Sequence, residues 1–243
     1  MSETEVPGAP AEAGGSSIRL LAQVLSSPRQ AFEALARRPV FLLALAVLVL
    51  LGVGAVGIGF SKVSGEDYVR SLEEAGRPVP PQFSDDPDKM MSIVRVAALG
   101  SALLFQPIVY LALAGLFLVV FRLLGSEIDY RRSLAITVHG MLPMAVAALA
   151  GIAIALARDR ISMNELQSGG LVLSNLGSLA GDAGSKVTRA LLTSVDLFSA
   201  WSIGLLGLGY RIVARVSAGS ALGTVGALWL LGIAIKVALA AAF

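Results

Sequence analysis

Pro39–Phe60 reads PVFLLALAVLVLLGVGAVGIGF, an apolar run without a single charge. About 20 such residues, coiled as an α-helix, cross the ~30 Å hydrocarbon core of a bilayer. The run begins well inside the chain and is longer than the roughly 7–15-residue apolar region of a cleavable leader, so it reads as a span. Its apolar character is continuous rather than alternating, which argues against a membrane β-barrel strand. Working outward, four more such runs follow, at Ile93–Phe121, Ser133–Ala157, Ala190–Tyr210 and Ser220–Phe243.

Whole-chain composition agrees with that reading. The 243 residues are 56% hydrophobic and 15% charged, with a mean hydropathy of +0.78, whereas a soluble domain carries about 25% charged residues. The expected fold is an all-α integral membrane protein of five transmembrane helices, over residues 39–60, 93–121, 133–157, 190–210 and 220–243.

The segment before the first span divides in two. Residues 1–15 are small, polar and rich in Pro and Gly, the composition of a disordered tail. Residues 16–38 carry an apolar stripe (Leu20, Leu21, Val24, Leu25). Ser27-Pro28 then reads as a helix start, and Ala31, Phe32 and Leu35 lie against Arg29, Arg37 and Arg38. An amphipathic helix in the headgroup region has this pattern. A helix packed on the spans from outside the bilayer is the alternative. Between the first two spans, Gly65–Glu74 reads as a short helix and Asp86-Pro87 as a cap. The acidic pairs of this loop lack the alternating ligands and central glycine of a calcium loop, so a solvated charge run is the expectation. The connection 158–189, rich in Gly and Ser, reads as a flexible loop with one turn near Leu171–Leu179.

Basic residues close to the spans place the N-terminus inside. Arg37, Arg38, Arg122, Arg131, Arg132, Arg211 and Arg215 crowd the short connections on that side. Five spans then leave Phe243 on the outer side.

Much chemistry is excluded. Cysteine is absent and histidine occurs once, so no metal centre, disulfide or thiol nucleophile is expected. No catalytic constellation and no cofactor motif is present. A net charge of +2 offers no basis for nucleic-acid binding. Glycines within apolar spans, with no lysine after them, are helix-packing residues rather than a phosphate loop. Gly52, Ala147, Gly151, Ala155, Gly204 and Gly223 are the positions so assigned.

The informative polar residues are those at membrane depth, where burial demands a partner. They are Gln106, His139, Asp196 and Lys236, with Pro107 and Pro143 as kink sites. Asp196 and Lys236 fall at similar depth on consecutive antiparallel spans. They are expected to pair, the alternative being that Asp196 caps its helix while Lys236 snorkels.

Three motifs, in order across the spans, resemble the Ypt-interacting protein (Yip) domain in its short prokaryotic form. They are Pro28-x-x-x-Phe32, Gly140-x-x-Pro143, and Asp196-Leu197-Phe198-x-x-Trp201. The resemblance covers about Ser16–Phe243. It implies a polytopic, non-enzymatic membrane protein with a cytosolic N-terminus. Eukaryotic relatives bind prenylated Rab GTPases, but this chain has no Asp-Leu-Tyr-Gly-Pro element before its first span, so Rab binding is not carried over. Arginine-dominated basic residues and abundant alanine suggest a prokaryotic plasma membrane. The functional expectation is a scaffolding or membrane-organising protein that binds the lipid bilayer, membrane or cytosolic proteins, or a second copy of itself. The alternative is a small transporter or channel subunit whose path is lined by Gln106, His139, Asp196 and Lys236.

Overall fold

The computed structural model describes residues 11–81, 85–167, 169, 171–177 and 185–242, and places eleven helices among them. These are α1 (Ala11–Ser26), α2 (Pro28–Arg37), α3 (Leu42–Ser61), α4 (Gly65–Glu74), α5 (Pro87–Leu123) and α6 (Tyr130–Gly140). They continue as α7 (Leu142–Leu156), α8 (Met163–Gln167), α9 (Lys186–Leu192), α10 (Leu197–Val213) and α11 (Ala218–Ala242). No strand occurs among the described residues; an isolated antiparallel bridge joins Asn175 to Asp196.

Four helical stretches are long and apolar enough to cross a membrane: Leu42–Ser61, Pro87–Leu123, Tyr130–Leu156 and Ala218–Ala241. The third is α6 and α7 together. It breaks at Met141 because Pro143 has no N–H and its ring would strike the carbonyl one turn back. The run expected at 190–210 is shifted. Residues 186–192 form the separate helix α9, and α10 starts at Leu197 and has 17 residues. Hydroxyl and acid side chains explain the shift. Asp196 stays extended and caps α10, while Leu176 N–H and Leu197 N–H donate to Val195 and Ser174 carbonyls at 3.1 Å each. At about 25 Å, α10 is shorter than the hydrocarbon core.

The N-terminal segment also departs from expectation. Helix α1 begins at Ala11, inside the stretch expected as a disordered tail, and residues 1–10 lie outside the described residues. The helix start expected at Ser27-Pro28 is present, and it separates α1 from α2. Ala31, Phe32 and Leu35 of α2 are buried against the bundle rather than turned to lipid headgroups.

Hydrogen bonds gather the connections at two ends. At the first, Arg131 Nε donates to Pro39 O (3.3 Å), Arg132 Nε to Ala36 O (3.4 Å), and Ser126 Oγ to Ala214 O (2.8 Å). At the second, Arg95 donates to Phe60 O (3.0 Å) and Val63 O (2.7 Å), bracing the chain where it leaves α3. Ile161 N–H bonds Lys62 O (3.0 Å) there, over a small core of Val63, Met91 and Met163. Two acids of the 61–90 loop are used structurally. Asp86 caps α5 through Lys89 N–H, and Asp88 accepts from Gly65 N–H at 3.1 Å. Gly65 is obligatory, because a Cβ there would overlap the Pro87 backbone.

Candidate functional site

The centre of the bundle is a buried aromatic and hydroxyl cluster. Tyr210, fully buried, stacks on Phe121 with ring centroids 4.3 Å apart and lies 4.9 Å from Phe117. Its hydroxyl is 2.7 Å from Ser133 Oγ and 3.0 Å from Thr137 Oγ1. Ser133 Oγ donates to Ala114 O at 2.7 Å. Thr137 Oγ1 likewise donates to Ser133 O at 2.8 Å, so both hydroxyl protons are spent on carbonyls and the Tyr210 proton is the one shared between Ser133 Oγ and Thr137 Oγ1. One chain of hydrogen bonds thus ties α5, α6 and α10 where no water competes.

The family-motif residues have mechanical roles. Pro28 opens α2 and Phe32, one turn on, fills the space over Gly209 of α10. A Cβ at Gly209 would sit 2.7 Å from Ile136 Cγ2 and 2.8 Å from Phe32 Cε1, so only glycine admits that ring. Gly140 gives room to Leu206, whose Cα would lie 3.3 Å from an added Cβ, and Pro143 makes the break beside it. Leu197 and Trp201 are exposed one turn apart at the second end of α10, and half-buried Phe198 lies between them.

The glycines that pack closely are partly those expected. Gly52 is covered by Gln106 of α5 and Gly151 lies near Val172, while Ala155 is buried and Ala147 half-buried. Gly204 and Gly223 meet nothing within 4 Å; the close approaches on α10 fall at Gly207 and Gly209 instead.

The four polar residues expected at depth make separate contacts. Gln106 packs on Gly52, and its Oε1 is buried without a partner. Asp196 accepts from Phe198 N–H and Ser199 N–H (2.9 Å each) and from the Ser199 hydroxyl. Lys236 donates to Thr193 Oγ1 and Ser194 Oγ, 3.0 Å each. No Asp196–Lys236 pair within 4 Å forms among the described residues; the cap satisfies one charge and the hydroxyls the other. Replacing Asp196 by Ala should cost about 1 kcal/mol as a lost cap, and Lys236→Met a similar amount as lost hydrogen bonds. The two charges still attract through space. On unfolding in mixed micelles the double variant should therefore fall short of the summed losses, but by less than about 0.5 kcal/mol because no direct pair is lost.

His139 is 2% exposed, and its Nδ1 lies 2.8 Å from Ala135 O. A carbonyl only accepts, so Nδ1 carries the proton, and in the neutral ring that burial favours Nε2 is an acceptor; it has no partner among the described residues. The ring borders a groove of about 660 Å³ at the first end. The start of α3 (Val40–Ala44) forms one wall, with Tyr130, Arg131 and Leu134 of α6 opposite and Ser17 of α1 at the edge. Leu42 is 73% exposed there, so the groove opens sideways. The Tyr130 hydroxyl fixes its wall by donating to Leu111 O (3.0 Å). A second, apolar cavity of about 190 Å³ lies between α5, α7, α10 and α11 and is bordered by Ser202, whose Oγ is buried and unpartnered. Sequence reasoning named His139 but not the groove, nor Ser133, Thr137 and Tyr210; hydroxyl groups spaced one turn apart on α6 were the only signal.

No curated protein and no solved structure matches the chain. The family model for the Yip1 domain matches residues 22–239, from within α1 to near the end of α11. Its extent covers the three motifs whose packing roles are described above, and the long apolar helices make the chain an integral, multi-pass membrane protein. The chain belongs to the Yip1 domain family.

Proposed function

We propose that the protein is a non-enzymatic scaffold that organises the membrane around it, binding lipid or partner proteins through the face that carries α2. In this reading α10 is the fifth crossing, the N-terminus is cytoplasmic, and the membrane is the plasma membrane of a prokaryote. The observation that carries it is the docking of α2. Phe32 and Leu35 anchor that helix in the bundle, and α1 is held beside it by Leu20 and Val24 while Ile18 stays 65% exposed. A pair of helices fixed at one face of a bundle enlarges the protein's cross-section in a single leaflet, which is the geometry of a wedge. The transporter alternative needs one polar path, and the separate contacts of Gln106, His139, Asp196 and Lys236 give it no support.

Reconstitution into liposomes tests the proposal. Vesicle size distribution by electron microscopy should shift relative to protein-free liposomes, and Ile18→Asp should weaken the shift. Ion and solute flux should stay at the protein-free level. Unchanged vesicle shapes would sink the organising role, and protein-dependent flux would restore the alternative.

A further inference from the structure

We propose that the groove at the start of α3 holds one anionic phospholipid with a hydroxyl-bearing headgroup, of the phosphatidylglycerol class, drawn from the leaflet on the α2 face. This deepens the lipid-binding reading above by naming the lipid and its seat. Three observations converge on the groove. The first is the uncapped start of α3. Phe41 occupies the cap position of a 20-residue helix and makes no side-chain cap, so the first-turn N–H groups at the positive end of the helix dipole are left for an anion.

The second is Arg131. It is exposed, its Nε is held by Pro39 O, and it forms no ion pair among the described residues. Its neighbour Arg132 is already paired with Asp129. The terminal guanidinium nitrogens of Arg131 are therefore the available cation at the groove mouth, matched to a phosphate.

The third is His139, whose Nε2 is an acceptor without a partner in a side chain almost wholly buried. Because Nδ1 bonds the carbonyl four residues back, the ring lies over the preceding turn of α6, nearer the groove mouth than its own Cα. A phosphate diester offers no donor to it, and neither does choline. A glycerol headgroup does, through hydroxyls a few bonds from the phosphorus. The sideways opening at Leu42 lets the acyl chains stay in the bilayer, which favours a lipid over free phosphate.

The test uses the full chain in detergent, with native mass spectrometry of retained lipid. Phosphatidylglycerol, phosphatidylmethanol (an anionic diester without a donor) and phosphatidylcholine of identical acyl chains are compared at equal concentration, with inorganic phosphate as a fourth arm. Phosphatidylglycerol should be retained at least fivefold over phosphatidylcholine, with phosphatidylmethanol between them and phosphate not retained. Arg131→Gln should bring both anionic lipids down to the phosphatidylcholine level. His139→Phe keeps a ring but no acceptor, and should remove only the preference for phosphatidylglycerol over phosphatidylmethanol. Equal retention of the three lipids, equal retention of the two anionic ones, or preferences unchanged in both variants would overturn the proposal. If His139→Phe does not fold, the wild-type ratios and Arg131→Gln decide. Vesicle remodelling that survives without lipid preference refutes the groove alone and leaves the scaffolding role standing.

Discussion

Tyr210→Ala is expected to destabilise the bundle by about 3–5 kcal/mol, the range for deleting a large buried ring. The ring packs against Phe117 and Phe121, and α5 and α10 lose their shared packing when it is gone. Tyr210→Phe should cost only about 1 kcal/mol, one net hydrogen bond. Ser133 and Thr137 keep the Ala114 and Ser133 carbonyls as acceptors, so neither hydroxyl is stranded. Equilibrium unfolding in mixed micelles, followed by circular dichroism, measures both. Equal losses for the two variants would show that the hydroxyl, and not the ring, carries the stability.

Phe32→Ala is expected to have the next largest effect, about 3 kcal/mol, at the lower end of the cost of emptying such a site. The figure stays low because lipid is as apolar as the bundle interior, so little transfer energy is lost and the cost is that of lost packing contacts. Helix α2 should loosen while α3–α11 stay helical. Proteolysis near Arg37 and Arg38 would then accelerate well before the far-ultraviolet signal falls. Cleavage at the wild-type rate would mean that α2 is held by something other than the Phe32–Gly209 contact. Gly209→Ala should reproduce part of the effect, because its Cβ would crowd the same ring.

The long apolar runs made the spans legible, and the Gly65–Glu74 helix and the Asp86 cap were legible from local chemistry. The start of α10 was not, because Ala190–Val195 continues the apolar run while its hydroxyls and Asp196 break the helix. Which glycines of α10 pack closely was not legible for a related cause. On a helix that is apolar all round, lipid-facing and protein-facing positions look alike, so spacing alone could not choose Gly207 and Gly209 over Gly204. Tyr210, Ser133 and Thr137 passed as ordinary span residues for the same reason. His139 was noticed as a rare residue, yet the groove beside it joins α1, α3 and α6, a proximity that no single stretch of sequence records.

The unequal lengths of α5 and α10 have a consequence for the surrounding lipid. Helix α5 has 37 residues, about 55 Å of rod, and its exposed apolar side chains run from Ile93 to Leu123. Helix α10, its neighbour at Tyr210, offers only 17 residues. In the five-span arrangement proposed above both cross the same bilayer, and a ~30 Å hydrocarbon slab is then too thin for one and too thick for the other. Tilting absorbs part of the excess in α5, but tilting cannot lengthen α10. The lipid annulus should therefore be thick along the α5 flank and pinched along the α10 flank, a hydrophobic mismatch of opposite sign on two sides of one molecule. Such a protein would settle where membranes of different thickness meet.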